Sequence, residues 1–173
     1  MGGRVPPSRI LAVDRLTVTS IAVIQLLALA VWAGGLLALG AIVAPIVFRV
    51  VHAPSSADAM TLVFRRFDAV AIACAAIALV AEAAFAMRGG RVTRLDLARG
   101  LCLVVAAGLA ITIGAWLSPG ISDLHRGGAI RGSGDAGLEL ERLHRLAETL
   151  AKSEMVLVLV GFVLSIAKVG RPS

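Results

Sequence analysis

Residues 16–48 and residues 100–122 contain no charged side chain, and this segregation of charge constrains the fold more than any other feature of the sequence. An apolar run longer than about 18 residues can cross a bilayer as a helix. Hydrophobic residues make up 58% of the 173 positions and charged residues 16%, against roughly 45–50% and about 25% in soluble domains. The chain is therefore predicted to be an integral membrane protein. Disordered, collagenous and disulfide-stapled folds and a large water-soluble catalytic domain are excluded.

The positive charge of the chain follows the predicted membrane boundaries. The net charge is +6, but Lys and Arg are spread over every segment that flanks an apolar run and form no compact basic patch. Basic residues at such positions favour contact with lipid headgroups. We therefore expect the lipid bilayer as a partner and no nucleic acid. Cys74 and Cys102 lie inside apolar runs and are predicted to be packing residues.

Four helices are predicted to cross the membrane, which makes the fold all-α: an integral membrane four-helix up-down bundle formed by a single domain, 1–173. The spans are expected at about 18–48, 66–87, 99–117 and 148–168, with an amphipathic start of the last helix at about 136–150. The first run exceeds a hydrocarbon core of about 30 Å, so its helix must tilt, kink near Pro45 or protrude. The second helix is predicted to start at Ser55 and to stop at Gly89-Gly90. Pro119-Gly120 is predicted to end the third helix, and residues 121–134 to form a glycine-rich loop.

Small residues at helical spacing predict close packing of these helices, because helices in lipid approach each other where side chains are small. Every span carries such a face: Ala30, Gly34 and Ala38 in the first; Cys74, Ala78, Glu82 and Ala86 in the second; Cys102, Ala106, Ala110 and Gly114 in the third; Gly161 and Ser165 in the fourth.

The location of the chain is predicted from its leader and its basic links. The first apolar run is too long for a cleaved signal peptide, which favours the plasma membrane of a bacterium. The link at 88–99 is dense in Arg, and short basic links tend to stay in the cytoplasm. Both termini are therefore expected on the cytoplasmic side.

The first span reads Trp32-Ala33-Gly34-Gly35, then Gly40, then Ala44-Pro45-Ile46-Val47-Phe48. This resembles the bacterial members of the transmembrane protein 205-like family, in which the first helix has a tryptophan, paired glycines and a Pro-x-x-Phe ending. Later landmarks are similar as well: Phe64-Arg65-Arg66-Phe67-Asp68, Trp116 to Pro119, and Leu143-His144-Arg145. The resemblance implies a four-span membrane protein and supplies no reaction. A more distant likeness, to four-span copper-resistance D-type proteins and haem-linked membrane oxidases, is one of architecture and histidines alone.

The motif of the first span has two interpretations. In the first, Gly34, Gly35 and Gly40 permit close helix approach, Trp32 packs, and Pro45 bends the helix at its exit. In the second, the same glycines line a substrate groove.

Two carboxylates, Glu82 and Glu154, lie inside predicted spans, where a charge is costly and usually faces protein or water. Glu82 is near the membrane surface that also carries Arg99 and Lys168, so an ion pair with either is one interpretation and a proton or small-solute pathway is the other. Glu154 lies nearer the opposite surface.

Three histidines, His52, His125 and His144, are predicted on one side of the membrane. Imidazole suits zinc, copper or iron, so a metal or haem site is an alternative to ordinary interfacial histidines, with His144 the best candidate because a helix fixes its direction. No nucleophile elbow or phosphate-binding loop is recognisable, so an enzyme is not expected. The sequence therefore favours a structural or accessory membrane protein, as a component of a larger assembly or as a homo-oligomer. Metal binding at His144 and transport through Glu82 are the alternatives.

Overall fold

The computed structural model describes residues 7–52, 55–88 and 92–169 and, within them, the side chains of residues 16–52, 55–88 and 92–168. Those residues form six α-helices and two π-helical turns, and no strand. In chain order these are α1 (Pro7–Ala38), a π-turn (Leu39–Val43), α2 (Ala44–Val50), α3 (Ser55–Met87), α4 (Arg94–Thr112), a second π-turn (Ile113–Leu117), α5 (Ser118–Arg126) and α6 (Gly134–Val169). Because each π-turn joins its neighbours without a break, this described part of the chain contains four helices long and apolar enough to cross a membrane. The predicted fold class is confirmed.

The four long helices pack as a closed ring in which each touches two others. α1 packs against α3 and α6, and α4 packs against the same two. The core between them consists mostly of alanine, with a few large side chains such as Leu29, Trp32 and Leu103. Large apolar side chains on the outside are exposed, among them Leu27 and Val80. A bundle with a small-residue interior and an apolar exterior is the arrangement expected when lipid surrounds the helices.

The predicted packing faces are confirmed on three helices and wrong on the first. Buried residues of the predicted faces are Cys74 and Ala78 of α3, Ala106 and Ala110 of α4, and Gly161 and Ser165 of α6. Cys102 and Gly114 are half-buried, and Ala86, one residue before the end of α3, is exposed. On α1, Ala30 and Gly34 are exposed instead. The buried face of α1 is the one that carries Gln25 and Trp32, since these polar groups need protein partners within the membrane.

Each π-turn ends two residues before a proline. The N–H of Ala44 bonds to the carbonyl of Leu39, and the N–H of Ser118 bonds to that of Ile113, so each turn holds one extra residue. A proline lacks the N–H of a regular helical turn and its ring collides with the carbonyl four residues earlier. The wider turn relieves both problems, and Pro45 and Pro119 follow it as second residues of α2 and α5.

The prediction that Pro119-Gly120 ends the third helix is therefore wrong. The helix continues through both residues to Arg126, and the loop begins at Gly127. In the first span, the interruption foreseen near Pro45 is present as the π-turn that precedes it.

The ends of the other helices follow local sequence signals. α3 begins at the expected Ser55. α4 begins after a capping box, in which Thr93 and Asp96 each accept a hydrogen bond from the other's backbone N–H. α6 is continuous over both its amphipathic start and its apolar half, about 54 Å at 1.5 Å per residue. Gly89-Gly90, expected to stop α3, lies outside the described residues.

Candidate functional site

The predicted intramembrane carboxylate Glu82 is held by two partners. Arg99 donates two hydrogen bonds to it, from Nε at 2.9 Å and from Nη2 at 2.7 Å, so the pair is bidentate. Gln25 of α1 donates from Nε2 to the same carboxylate at 3.1 Å and to the backbone carbonyl of Ala78 at 3.3 Å. Arg99 is only 2% exposed. Of the two partners foreseen for Glu82, Arg99 is the one it contacts.

This network extends to the fourth long helix through Asp96. Asp96 lies 3.3 Å from the guanidinium of Arg99 and accepts a 2.7 Å hydrogen bond from Nζ of Lys168. The same ammonium lies 5.2 Å from the ring centre of Phe85, within the distance of a cation–π contact. Side chains of α1, α3, α4 and α6 are therefore joined at the end of the bundle where α3 ends and α4 begins. We call this set, Gln25, Glu82, Asp96, Arg99 and Lys168, the terminal network.

The second predicted carboxylate, Glu154, lies in the interior and pairs with Trp32. The indole Nε1 of Trp32 donates a 2.6 Å hydrogen bond to its Oε1. Glu154 is 2% exposed and Trp32 is fully buried. No Lys or Arg among the described residues lies within ion-pair distance of Glu154. A carboxyl group thus joins α6 to α1 through a neutral donor.

Asp68 forms a third intramembrane contact, between α3 and α5. Its Oδ2 accepts a 2.5 Å hydrogen bond from the Ser118 hydroxyl, at the position before Pro119. Gly114, in the second π-turn, lies against the same side chain: a Cβ at this position would be 3.1 Å from the Asp68 Cβ. The π-turn therefore presents both a close backbone surface and a hydroxyl to Asp68.

Two of the three predicted histidines come together. The Nε2 atoms of His125, in α5, and His144, in α6, lie 3.5 Å apart, with ring centroids 5.7 Å apart and planes at 66°. His52 is exposed after the end of α2 and is not part of this pair. Within the described ranges, no three His, Cys, Asp or Glu side chains converge closely enough to hold a metal ion. Of the three predicted histidines, two therefore lie together, His125 and His144.

The residues of the family-like motif divide into packed and exposed positions. A Cβ on Gly35 would lie 2.1 Å from Cε2 of Phe67, so this glycine is required for the approach of α3. Gly34 and Gly40 have open space where a Cβ would stand, so the expectation that all three glycines permit helix approach within the chain holds only for Gly35. Phe48 is also exposed.

Sequence reasoning missed the roles of two residues. Gln25 was a polar residue inside a long apolar run, which is a usable signal, because a buried amide in a membrane helix needs a partner. Asp68 follows two arginines and looks like a boundary residue. Its contact with Ser118 depends on α5 continuing beyond the π-turn, which the sequence did not reveal.

The fold and these contacts define an integral membrane protein of four helices, in which polar side chains of all four long helices are paired inside the chain. The family model described as a domain of unknown function, DUF4149, matches residues 27–129. The chain belongs to this family. The matched part contains Trp32, Asp68 and Glu82 and ends before α6. No curated protein and no solved structure shows significant similarity to the chain.

Proposed function

We propose that this chain is a non-enzymatic membrane protein of the transmembrane protein 205-like type, with a structural or accessory role. We place it in the plasma membrane of a bacterium, with both termini in the cytoplasm. The observation that carries the proposal is the terminal network, in which the charges of three helices and an amide of the fourth bond to one another. Charged groups that bond to one another in this way hold the helices together and are not available to bind a transported ion.

The geometry around Glu82 argues against its use as a carrier. To take up and release a proton or a cation, its carboxylate would have to leave a bidentate contact with Arg99, which is 2% exposed. Separating such a pair leaves two uncompensated charges away from water, which is strongly unfavourable. The network therefore supports a fixed bundle.

Flux through proteoliposomes tests this proposal. The wild-type protein is expected to give no more proton or small-cation flux than empty liposomes, and Glu82→Gln is expected to behave in the same way. Glu148→Gln, at a 62% exposed side chain of α6, is the matched control. Flux that is present in the wild type and in the control but lost in Glu82→Gln would overturn the structural role. The mass of the protein in detergent, measured by light scattering, tests whether the accessory unit is a homo-oligomer.

A second candidate function is binding of a transition-metal ion by His125 and His144. Two nitrogen ligands at about 2.0–2.1 Å from a tetrahedral ion lie about 3.3–3.4 Å apart, and the two Nε2 atoms are 3.5 Å apart. The remaining coordination positions would be left to water or a substrate ligand. A haem would use one of these histidines at a time, because its axial ligands stand on opposite faces of the ring.

Metal content of the detergent-purified protein, measured with its visible spectrum, tests the second candidate. We expect stoichiometric metal in the wild type after metal-replete expression, its loss in His144→Ala, and no change in His52→Ala, which removes the histidine outside the pair. Equal, low metal content in all three proteins would leave the histidines as interfacial residues.

A further inference from the structure

A cavity of about 170 Å³ opens between the start of α3 and the end of α5. α3 contributes Asp58, Thr61 and Arg65 to its lining, and α5 contributes Ser122, His125 and Arg126. Residues with two guanidinium groups, an imidazole, a carboxylate and two hydroxyls therefore line one small space. Arg65 and Arg126 supply the fork of N–H donors that suits phosphate oxygens.

The depth of this cavity matches the lipid headgroup layer. Arg65, the eleventh residue of α3, and Arg88, the residue after its end, lie about 34 Å apart at 1.5 Å per residue, close to the hydrocarbon thickness of about 30 Å. Arg65 thus marks the membrane boundary, and Asp58 lies about 10 Å farther outward. Leu62, which also lines the cavity, is 60% exposed on the side that faces the acyl chains.

Ser122 indicates that the cavity is built for a polar ligand. Its side chain lines the cavity and is 8% exposed, yet it makes no hydrogen bond with any described residue. Thr61, by contrast, donates its hydroxyl to the carbonyl of Ala57. Every buried side-chain oxygen among the described residues has a hydrogen-bond partner, so the unpartnered hydroxyl of Ser122 is open to the cavity and available to a ligand. A ligand oxygen in the cavity would accept a hydrogen bond from this hydroxyl.

The charges of the lining specify the ligand further. Arg126 pairs with Asp123, whereas neither Arg65 nor Asp58 makes an ion pair of 4 Å or less in the described part of the chain. Arg65 lies at the membrane boundary, where its charge also acts on Asp68 one turn along, and Asp58 lies about two helical turns outward on the same helix. A phosphate with an ammonium group beyond it carries the complementary order of charges, with the anion facing Arg65 and the cation facing Asp58.

We propose that this cavity binds the headgroup of an aminophospholipid, with its phosphodiester against Arg65, Arg126 and the Ser122 hydroxyl, and its ammonium toward Asp58. The site is independent of the structural role of the terminal network at the opposite end of the bundle. It also differs from the His125–His144 pair in its determinants, since Arg65 and Asp58 are not part of that pair.

Lipid retention measured by native mass spectrometry tests the proposal. The full-length protein is taken from nanodiscs with equal amounts of phosphatidylethanolamine and phosphatidylglycerol, and the wild type is expected to retain phosphatidylethanolamine preferentially. Arg65→Ala should lower that retention about tenfold or more, since a charge-assisted hydrogen bond is lost. Arg66→Ala, an exposed arginine one position along that does not line the cavity, is the matched control and should retain lipid like the wild type.

Two further variants separate the parts of the headgroup. Ser122→Ala should weaken retention of both lipids without changing the preference, and it also serves if Arg65→Ala fails to fold. Asp58→Asn should keep retention but remove the preference for phosphatidylethanolamine. Added phosphoethanolamine that displaces the lipid would assign the site to a soluble phosphate ester. Equal losses in Arg65→Ala and Arg66→Ala, or no loss in Ser122→Ala and Arg65→Ala, would overturn the proposal.

Discussion

Removing the guanidinium of Arg99 tests whether the terminal network stabilises the bundle. Arg99→Met keeps the long apolar stem but takes away both hydrogen bonds to Glu82 and the contact with Asp96. The side chain of Glu82 is 19% exposed, so water replaces little of what is lost. Breaking one partner of a buried pair destabilises by about 3–5 kcal/mol. That is a large part of the roughly 5–15 kcal/mol that separates folded and unfolded states of a typical domain.

A double-mutant cycle isolates the pair from the packing of its members. Glu82→Met should destabilise by leaving Arg99 buried and uncompensated, whereas the double variant Glu82→Met/Arg99→Met leaves neither charge. Because replacing both members with apolar residues is often close to neutral, the double variant should recover most of the loss, with a coupling energy of about 3 kcal/mol or more.

Unfolding by SDS from mixed micelles, followed by tryptophan fluorescence, measures these differences. The chain has two tryptophans: Trp32 is fully buried and Trp116 is 67% exposed. In a Trp116→Phe background, the signal of Trp32 reports the core. The exposed pair of Lys152 and Glu148 is the matched control, and its cycle should show no measurable coupling. Additive effects of Glu82→Met and Arg99→Met would refute the reasoning, since the pair would then contribute nothing as a pair.

Three further changes probe the interior, all measured by the same SDS unfolding, with far-UV circular dichroism as the signal where a tryptophan is changed. Trp32→Phe leaves the buried carboxyl of Glu154 without its hydrogen-bond donor and should destabilise the protein by about 1–3 kcal/mol. Trp116→Phe is the control and should have little effect. Equal effects of the two changes would contradict the role of the hydrogen bond. Gly35→Ala should destabilise by about 1–3 kcal/mol, because its Cβ would overlap the Phe67 ring. Gly34→Ala is the control and should be neutral or slightly stabilising. Phe67→Leu should reduce the loss caused by Gly35→Ala. Ser118→Ala should destabilise by about 1–3 kcal/mol through the unsatisfied Asp68, and an effect no larger than that of the exposed Ser153→Ala would argue against it.

The helices of this fold are predictable from the sequence because lipid leaves few alternatives. Runs such as 16–48 have no charged side chain, and a backbone in lipid must satisfy its own hydrogen bonds. Residues near one end of two neighbouring helices must also lie at similar depth, which is why Arg99 could be named as a partner of Glu82.

The rotation of each helix about its axis is less predictable. On α1, small residues at Ala30 and Gly34 suggested one buried face, but the structure buries the face with Gln25 and Trp32. Every face of this helix is apolar enough for lipid, so hydropathy cannot choose between them. The choice comes from the partners of the amide and the indole, which lie on other helices.

The π-turns show a second limit of prediction from the sequence. Gly40-Ala41 and Ala44-Pro45 in the first span correspond to Gly114-Ala115 and Ser118-Pro119 in the third, and both stretches form the same turn. A proline in a helix was expected to break it, since no rule based on single residues distinguishes a break from a wider turn. The pattern has meaning only when the two turns are compared with each other.

Polar contacts at two depths along the bundle fix the rotation and axial position of the helices, which the apolar core does not determine. Asp68 lies about 21 Å along α3 from Glu82, and Glu154 lies about 21 Å along α6 from Lys168, so the inner contacts stand well away from the terminal network. The core between the two levels is mostly alanine, and alanine faces can slide or rotate past one another at little cost. A contact at one level would still allow a helix to pivot about it. Contacts at two levels do not, because Gln25 and Trp32 on one face of α1 must meet Glu82 and Glu154 on two different helices at the same time. The exposed position of Gly34 follows from this constraint, since turning it inward would break both contacts.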